Sequence, residues 1–300
     1  MVVLTDLFLA LRRSIPTSKL EFDEHGMPYP VSENKDLYTK ITNHLLQCGP
    51  TMLYRYRPGN NPDIDSIRKD TIWLSTLKEY NDPFEIRTSI DFEGVVDSFF
   101  RRDPKRVELM CLKRFDKNHL LYKKCINDIK AWGKNLQDEL SMKQLRLFTA
   151  YFCENNGSLL MWAHYANAHK GFCIGYIFKD IVGKFSSNIL PVIYSQDYFA
   201  VRSYETFADY DVFFMNAWRS KSEEWSYEKE WRLAGEYRIN EPYQKGLVTS
   251  MIKPSCIYMG VNIDAAVKHQ LIEICKEREI KLYQMHLSER NYRLLAYCVL

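Results

Sequence analysis

No two of the eight cysteines, at positions 48, 111, 125, 153, 173, 256, 275 and 298, stand at Cys-x-x-Cys spacing. Scattered thiols of this kind argue against a zinc cluster. His164 and His169 are five residues apart and miss the i, i+4 geometry of a helical metal pair. No apolar run approaches membrane-spanning length, and Leu7 to Leu11 precede Arg12 and Arg13, the reverse of a signal peptide's order. These absences predict a cytoplasmic, reduced protein with no membrane partner and no metal. Charge of one sign is also missing: 41 Lys+Arg against 38 Asp+Glu leave +3, which gives no global case for nucleic acid or an anionic membrane. There are no internal repeats or low-complexity tracts.

What is present is enough for a sizeable core, since 46% of the 300 residues are hydrophobic and 14% are aromatic. Helical spacing covers Leu4 to Arg13 and Asp36 to Gln47, where Gly49 and Pro50 stop it. Alternation then predicts strands over Thr51 to Arg57, Thr71 to Leu77 and Leu147 to Glu154. Between the last two, Asn81 to Glu85 reads as a turn with Asp82 as its cap, and Pro104 to Trp132 reads as helix. A short helix at Leu159 to Ala166 leads into a strand at Phe172 to Phe178. Leu190 to Ser195 is a further strand, and Tyr198 to Lys221 reads as mostly helical. After a loop near Asn240 to Gly246, strands follow at Leu247 to Ile252 and Ser255 to Gly260. A helix at Ile263 to Glu279 and strands at Lys281 to Leu287 and Tyr292 to Leu300 close the chain. The reading is an α+β domain over 50–300 with a helical extension over 1–49 on which a partner protein can dock.

Two stretches carry candidate chemistry. In Thr51 to Arg57, Arg55 and Arg57 share one strand face, and two guanidiniums on one face are suited to an anion. In Trp225 to Arg232, read as strand-like, Glu228 and Glu230 share one face, so two carboxylates look into the same space. A solvated edge is the plain alternative for that face. His164 and His169, taken singly, are by default satisfied structural residues.

LYRYR at 53–57, IWLS at 72–75, NDPFE at 81–85, MWAHYANAHKGFCIGY at 161–176 and YEKEWR at 227–232 together resemble a bacterial domain family of unknown function. An arginine on a first strand, a serine on a second and Glu-x-Glu opening a later strand are in addition similar to the ADP-ribosyltransferases. That similarity implies a split, mainly antiparallel sheet and NAD as substrate, with no metal. It implies Arg55, or Arg57 beside it, for the NAD phosphates, and Ser75 with Thr76 for ordering the cleft. Glu230 would engage the nicotinamide ribose and Glu228 the acceptor nucleophile. Tyr54, Trp162 and Tyr165 are stacking candidates, with His164 and His169 beside them on the nucleotide side. The MWAHYANAHKGF segment has no close counterpart in those enzymes, and a full Ser-Thr-Ser is absent.

The chemistry requires such residues, because cleavage of the nicotinamide bond develops positive charge on the ribose that a carboxylate stabilises. The resemblance implies ADP-ribosyl transfer or NAD hydrolysis, in the service of a toxin or an antiviral effector, with an acceptor that is protein, nucleic acid or a small molecule. Two other readings stay open. One is a non-catalytic module that senses a nucleotide, and the other is a metal-dependent nuclease using Asp82, Glu85, Glu228 and Glu230 with Lys229.

Overall fold

The computed structural model describes residues 21–22, 28–29, 35–102, 120–144, 147–202, 210–237 and 243–300. In chain order the elements begin with β1 (Glu21–Phe22), β2 (Pro28–Tyr29), α1 (Lys35–Cys48), β3 (Met52–Arg57), α2 (Asn61–Lys69) and β4 (Thr71–Thr76). Next come β5 (Thr88–Ile90), α3 (Phe92–Arg102), α4 (Leu120–Gln144), β6 (Leu147–Cys153), α5 (Leu159–Tyr165), β7 (Phe172–Ile177) and α6 (Phe178–Phe185). Short strands β8 (Ile189–Pro191), β9 (Ile193–Ser195) and β10 (Phe199–Val201) precede α7 (Tyr210–Arg219) and β11 (Ser220–Ser222). The chain ends with β12 (Glu230–Tyr237), β13 (Gly246–Ser250), β14 (Cys256–Met259), α8 (Ala265–Arg278), β15 (Lys281–Leu287) and β16 (Leu294–Cys298).

Two compact units are built from interleaved stretches, one from 80–146 and 193–223, the other from 18–79, 147–192 and 224–300. The larger unit carries a mainly antiparallel sheet. Its strands run β13-β4-β6-β3-β7-β14-β15-β16, with β12 attached at β6 and β8 attached in turn to β12. Among its described strands only β14 and β15 run parallel, the connection being α8. The mixed class and mainly antiparallel sheet expected from the sequence are therefore present.

β6 is the strand on which the sheet divides. One edge takes β12 from Glu230 opposite Cys153 down to Tyr237 opposite Leu147. The other takes Tyr54 of β3 at Cys153 and then Ser75 and Thr76 of β4 at Thr149 and Phe148. β3 thus leaves β6 after one pairing and β4 replaces it. β3 continues instead along β7, from Met52 opposite Ile177 to Arg57 opposite Phe172.

The core of this unit includes Leu53, Phe152, Phe178, Trp231, Leu233 and Ile257, all buried, and full burial of each large apolar side chain contributes roughly 1.5–3 kcal/mol. α2 begins with a capping box in which Asn60 accepts from the Asp63 N–H and the Asp63 carboxylate accepts from the Asn60 N–H. Capping with Pro62 in the first turn fixes where this helix starts, two residues past the end of β3 and its turn.

In the smaller unit β5 pairs with β10 and β9 with β11, both parallel. Val96 and Tyr122 join α3 to α4, and the Tyr122 hydroxyl donates to Asp97 at 2.7 Å.

Several sequence expectations change in detail. Leu190 to Ser195 is two short strands, because Val192 turns its N–H to the Glu230 carbonyl at 2.9 Å. Of the mostly helical stretch expected over Tyr198 to Lys221, the described residues hold β10 at Phe199–Val201 and a helix at Tyr210–Arg219, and residues 203–209 lie outside the described residues. The helix at Leu4 to Arg13, and residues 104–119 of the helix placed at Pro104 to Trp132, lie outside the described residues. Among the described residues no helix is long and apolar enough to cross a membrane.

Candidate functional site

β3 places its side chains as alternation demands. Tyr54 and Tyr56 pack with Cys153, Trp162 and Tyr258 on one face. Arg55 and Arg57 face the other way and line a cavity of about 520 Å³ with α2, β4 and β7. Its walls include Ser66, Lys69, Trp73 and Tyr176. Arg55 is only 9% exposed, and its Nη2 donates to the Trp73 carbonyl at 2.7 Å, across the opening where β4 has replaced β3. Burial, and next the Arg57 cation, push its guanidinium well below its ordinary value. Arg57 is different: its Nε donates to the Asp63 carboxylate at 2.6 Å, and the same carboxylate caps α2. One arginine is thus neutralised by a built-in carboxylate while its neighbour is held by a carbonyl.

Lys69 and the exposed Asp65 stand at the cavity's helical wall, 3.7 Å apart. The lining offers three cations against the two carboxylates Asp63 and Asp65. Such a concave, part-apolar space with converging cations suits an anion that also carries apolar surface.

The glutamates belong elsewhere. Trp225 to Arg232 is not one strand: Glu223–Glu228 forms a 3-10 helix, Lys229 takes φ 44, and β12 starts at Glu230. The left-handed residue breaks the alternation that would have put both carboxylates on one strand face. Glu228 is 4% exposed and accepts the Tyr165 hydroxyl at 2.5 Å. Glu230 is 5% exposed and accepts Arg232 Nε at 2.6 Å, with Arg232 fully buried. Neither glutamate lines the arginine cavity. Both raise the Cys153 thiol, after burial, which drives it up to about 12. Cys153 lies among Tyr54 and Tyr56, on the face of β3 away from the arginines.

The remaining sequence candidates divide in the same way. Trp162 is fully buried, donates its Nε1–H to the Asn156 carbonyl at 2.8 Å and meets Tyr56 edge-on at 5.1 Å between centroids. It is a core residue and offers no stacking face to a ligand. His169 stacks on it, with a buried Nδ1 that has no hydrogen-bond partner and an imidazole pushed down by burial. His164 is exposed, its ring 6.3 Å from that of Tyr227. Tyr54 is half-buried against Tyr258. Ser75 and Thr76 sit on β4 beside β6, the Thr76 N–H bonding the Lys245 carbonyl, and neither lines the arginine cavity.

The MWAHYANAHKGF segment is a backbone device. Asn167, Ala168 and His169 take φ 49, 51 and 65 in succession. This left-handed turn sends the Gly171 N–H back to Ala166 and lets the Gly260 and Asn262 N–H groups reach Gly171 and His169. A Cβ at Gly171 would collide with the Arg57 carbonyl, so glycine there permits β3 and β7 to meet at the cavity's edge.

In the smaller unit Asp82 is buried and its Oδ1 accepts the Phe84 N–H at 2.8 Å, the capping role expected of it. Glu85 meets Lys221 Nζ at 3.6 Å. Among the described residues, no group of three or more His, Cys, Asp and Glu is placed to hold a metal ion. Sequence reasoning passed over Asp63, Ser66, Lys69 and Tyr176. The Asn60-Asn61-Pro62-Asp63 capping signal, directly after two strand arginines, was the clue to the first three.

The larger unit thus defines a mixed α/β protein with a divided antiparallel sheet and an arginine-lined cavity at the division. Residues 161–233 match the family model described as Protein of unknown function (DUF2971), a span that takes in both the left-handed turn and the start of β12. No curated protein and no solved structure matches the chain.

Proposed function

We propose that the protein binds a phosphate-bearing ligand of the nucleotide class in the cavity between β3, β4 and α2. The observation that carries this reading is Arg55, a deeply buried guanidinium with a carbonyl partner in place of a carboxylate. A buried cation left in that state is unfavourable, and an incoming pyrophosphate supplies the missing counter-charge in a bidentate, charge-assisted geometry. Arg57 and Lys69 add donors at the rim, and Trp73 and Tyr176 supply apolar wall. The volume of about 520 Å³ accommodates a mononucleotide portion.

The test is calorimetry on the purified chain with ADP, ADP-ribose, NAD, inorganic pyrophosphate and adenosine. Ligands with a diphosphate should bind and adenosine should not. Arg55→Lys keeps charge but loses the fork, so affinity should fall about ten- to hundredfold. A set of melts that none of the phosphate ligands raises would sink the reading.

ADP-ribosyl transfer or NAD hydrolysis is the second reading, favoured by the burial of Glu228 next to Tyr165, where the 161–176 and 227–232 segments meet. It requires a carboxylate at the ribose, and Glu230 is engaged by Arg232. Nicotinamide release from NAD, with and without cell lysate as acceptor, decides between binding and turnover.

A further inference from the structure

The NDPFE motif has no part in the arginine cavity, and its Phe84 lines a second cavity in the smaller unit. After the Asp82 cap, Ile86 sits buried at φ 60. A β-branched residue holds that left-handed conformation only where its surroundings impose it. The turn sends Glu85 inward to Lys221, each side chain 6% exposed. Phe84 meanwhile stays 55% exposed, with the Arg87 guanidinium 5.9 Å from its ring centre. The facing wall comes from the parallel pair β9 and β11, which sets Ser195 opposite Ser222. Just past the end of β9, Tyr198 is 46% exposed with its ring centroid 6.3 Å from that of Phe84. Phe84, Arg87, Tyr198, Ser195, Lys221 and Ser222 line a cavity of about 310 Å³.

We propose that this cavity binds a small planar aromatic ring carrying one anionic group, the chemistry shared by a nucleoside monophosphate and an aromatic carboxylate. The ring lies against Phe84 and Tyr198, two large apolar faces otherwise left in water at one rim. The anion meets Arg87 and the hydroxyls of Ser195 and Ser222. Lys221 is already matched by Glu85, so Arg87 is the cation offered to the ligand. Its position at the carboxyl ends of a parallel strand pair is where α/β sheets commonly receive ligands. The volume suits one ring system with a short substituent and is too small for a dinucleotide.

The experiment titrates the full chain with AMP, benzoate, adenosine and inorganic phosphate, followed by calorimetry and by saturation-transfer NMR. At least one compound with both ring and anion should bind about tenfold tighter than adenosine or phosphate, and the order of AMP and benzoate identifies the source class. Phe84→Ala and Arg87→Gln, both on exposed side chains, should each weaken that binding about tenfold, and Tyr198→Ala serves as a third variant should either melt early. The loss caused by Phe84→Ala and Arg87→Gln should persist in an Arg55→Lys background, where the arginine cavity is weakened. Equal, weak binding of all four compounds overturns the proposal. So does binding that survives Phe84→Ala and Arg87→Gln but is lost in Arg55→Lys, because that places the ligand in the arginine cavity.

Discussion

Arg55 and Arg57 are two residues apart on one face of one strand, yet they are electrostatically unlike. Arg57 has Asp63, whereas Arg55 is pressed against its neighbour's like charge with a carbonyl for company. A base whose folded-state value is depressed opposes folding while it stays charged, so at neutral pH Arg55 is a cost to stability. Replacing it by methionine should raise stability by roughly 1 kcal/mol or more while abolishing ADP binding. A thermal melt with and without ADP reads both effects, and a variant that melts well below the parent would make Arg55 structural. The Glu230–Arg232 pair predicts the opposite. Both side chains are buried, so Glu230→Gln or Arg232→Met should cost about 3–5 kcal/mol in chemical denaturation. Glu230→Gln therefore fails as a clean probe of catalysis, because it disturbs the fold. Tyr165→Phe, which leaves the buried Glu228 one donor short, should cost about 1–3 kcal/mol by the same measurement.

Among the elements, the turn after α5 holds Ala168 at φ 51 between two further left-handed residues. A non-glycine residue there stores about 1–2 kcal/mol, and glycine gives back part of that as chain entropy. Ala168→Gly should accordingly stabilise the protein by about 0.5 kcal/mol, measured as a shift in urea midpoint, and a loss of stability would mean the methyl group is packed. Such backbone states mark the limit of what the chain's letters disclose. The period-2 pattern of Thr51 to Arg57 correctly divided tyrosines from arginines, and Lys281 to Leu287 matches β15 at both ends. Ile263 to Glu279 brackets α8 closely. In Trp225 to Arg232 the same pattern misled, because Lys229 carries no signal for positive φ and the aromatic run reads as continuous strand. The arginine face was legible from local alternation. Its cavity was not, since α2, β4, β7 and β13 contribute from up to about two hundred residues away in a register that no single segment encodes.

For the molecule as a whole, burial raises a set of acidic groups together. The Cys153 and Cys275 thiols and the Tyr176 phenol are each pushed up to about 12. For groups raised in the folded state, the stabilising contribution is complete below their ordinary values and lost as pH climbs toward the folded ones. Urea midpoints should therefore drop between about pH 8 and pH 10.5, and a midpoint that holds would contradict this burial. In the native state alkylating reagents should reach exposed Cys48 and Cys298 before the buried Cys153, Cys173, Cys256 and Cys275. The division of the sheet at β6 also governs the order of assembly. β4 finds one neighbour in β6 and the other in β13, whose first residue, Gly246, follows Thr76 by 170 positions. At ribosomal speeds of about 5–20 residues per second, that edge waits roughly 10–30 s for its partner to be made. A nascent chain halted before Gly246 should expose β4 as an open edge, bind holdase chaperones and precipitate when released, and supplying the remaining segment in trans should rescue it.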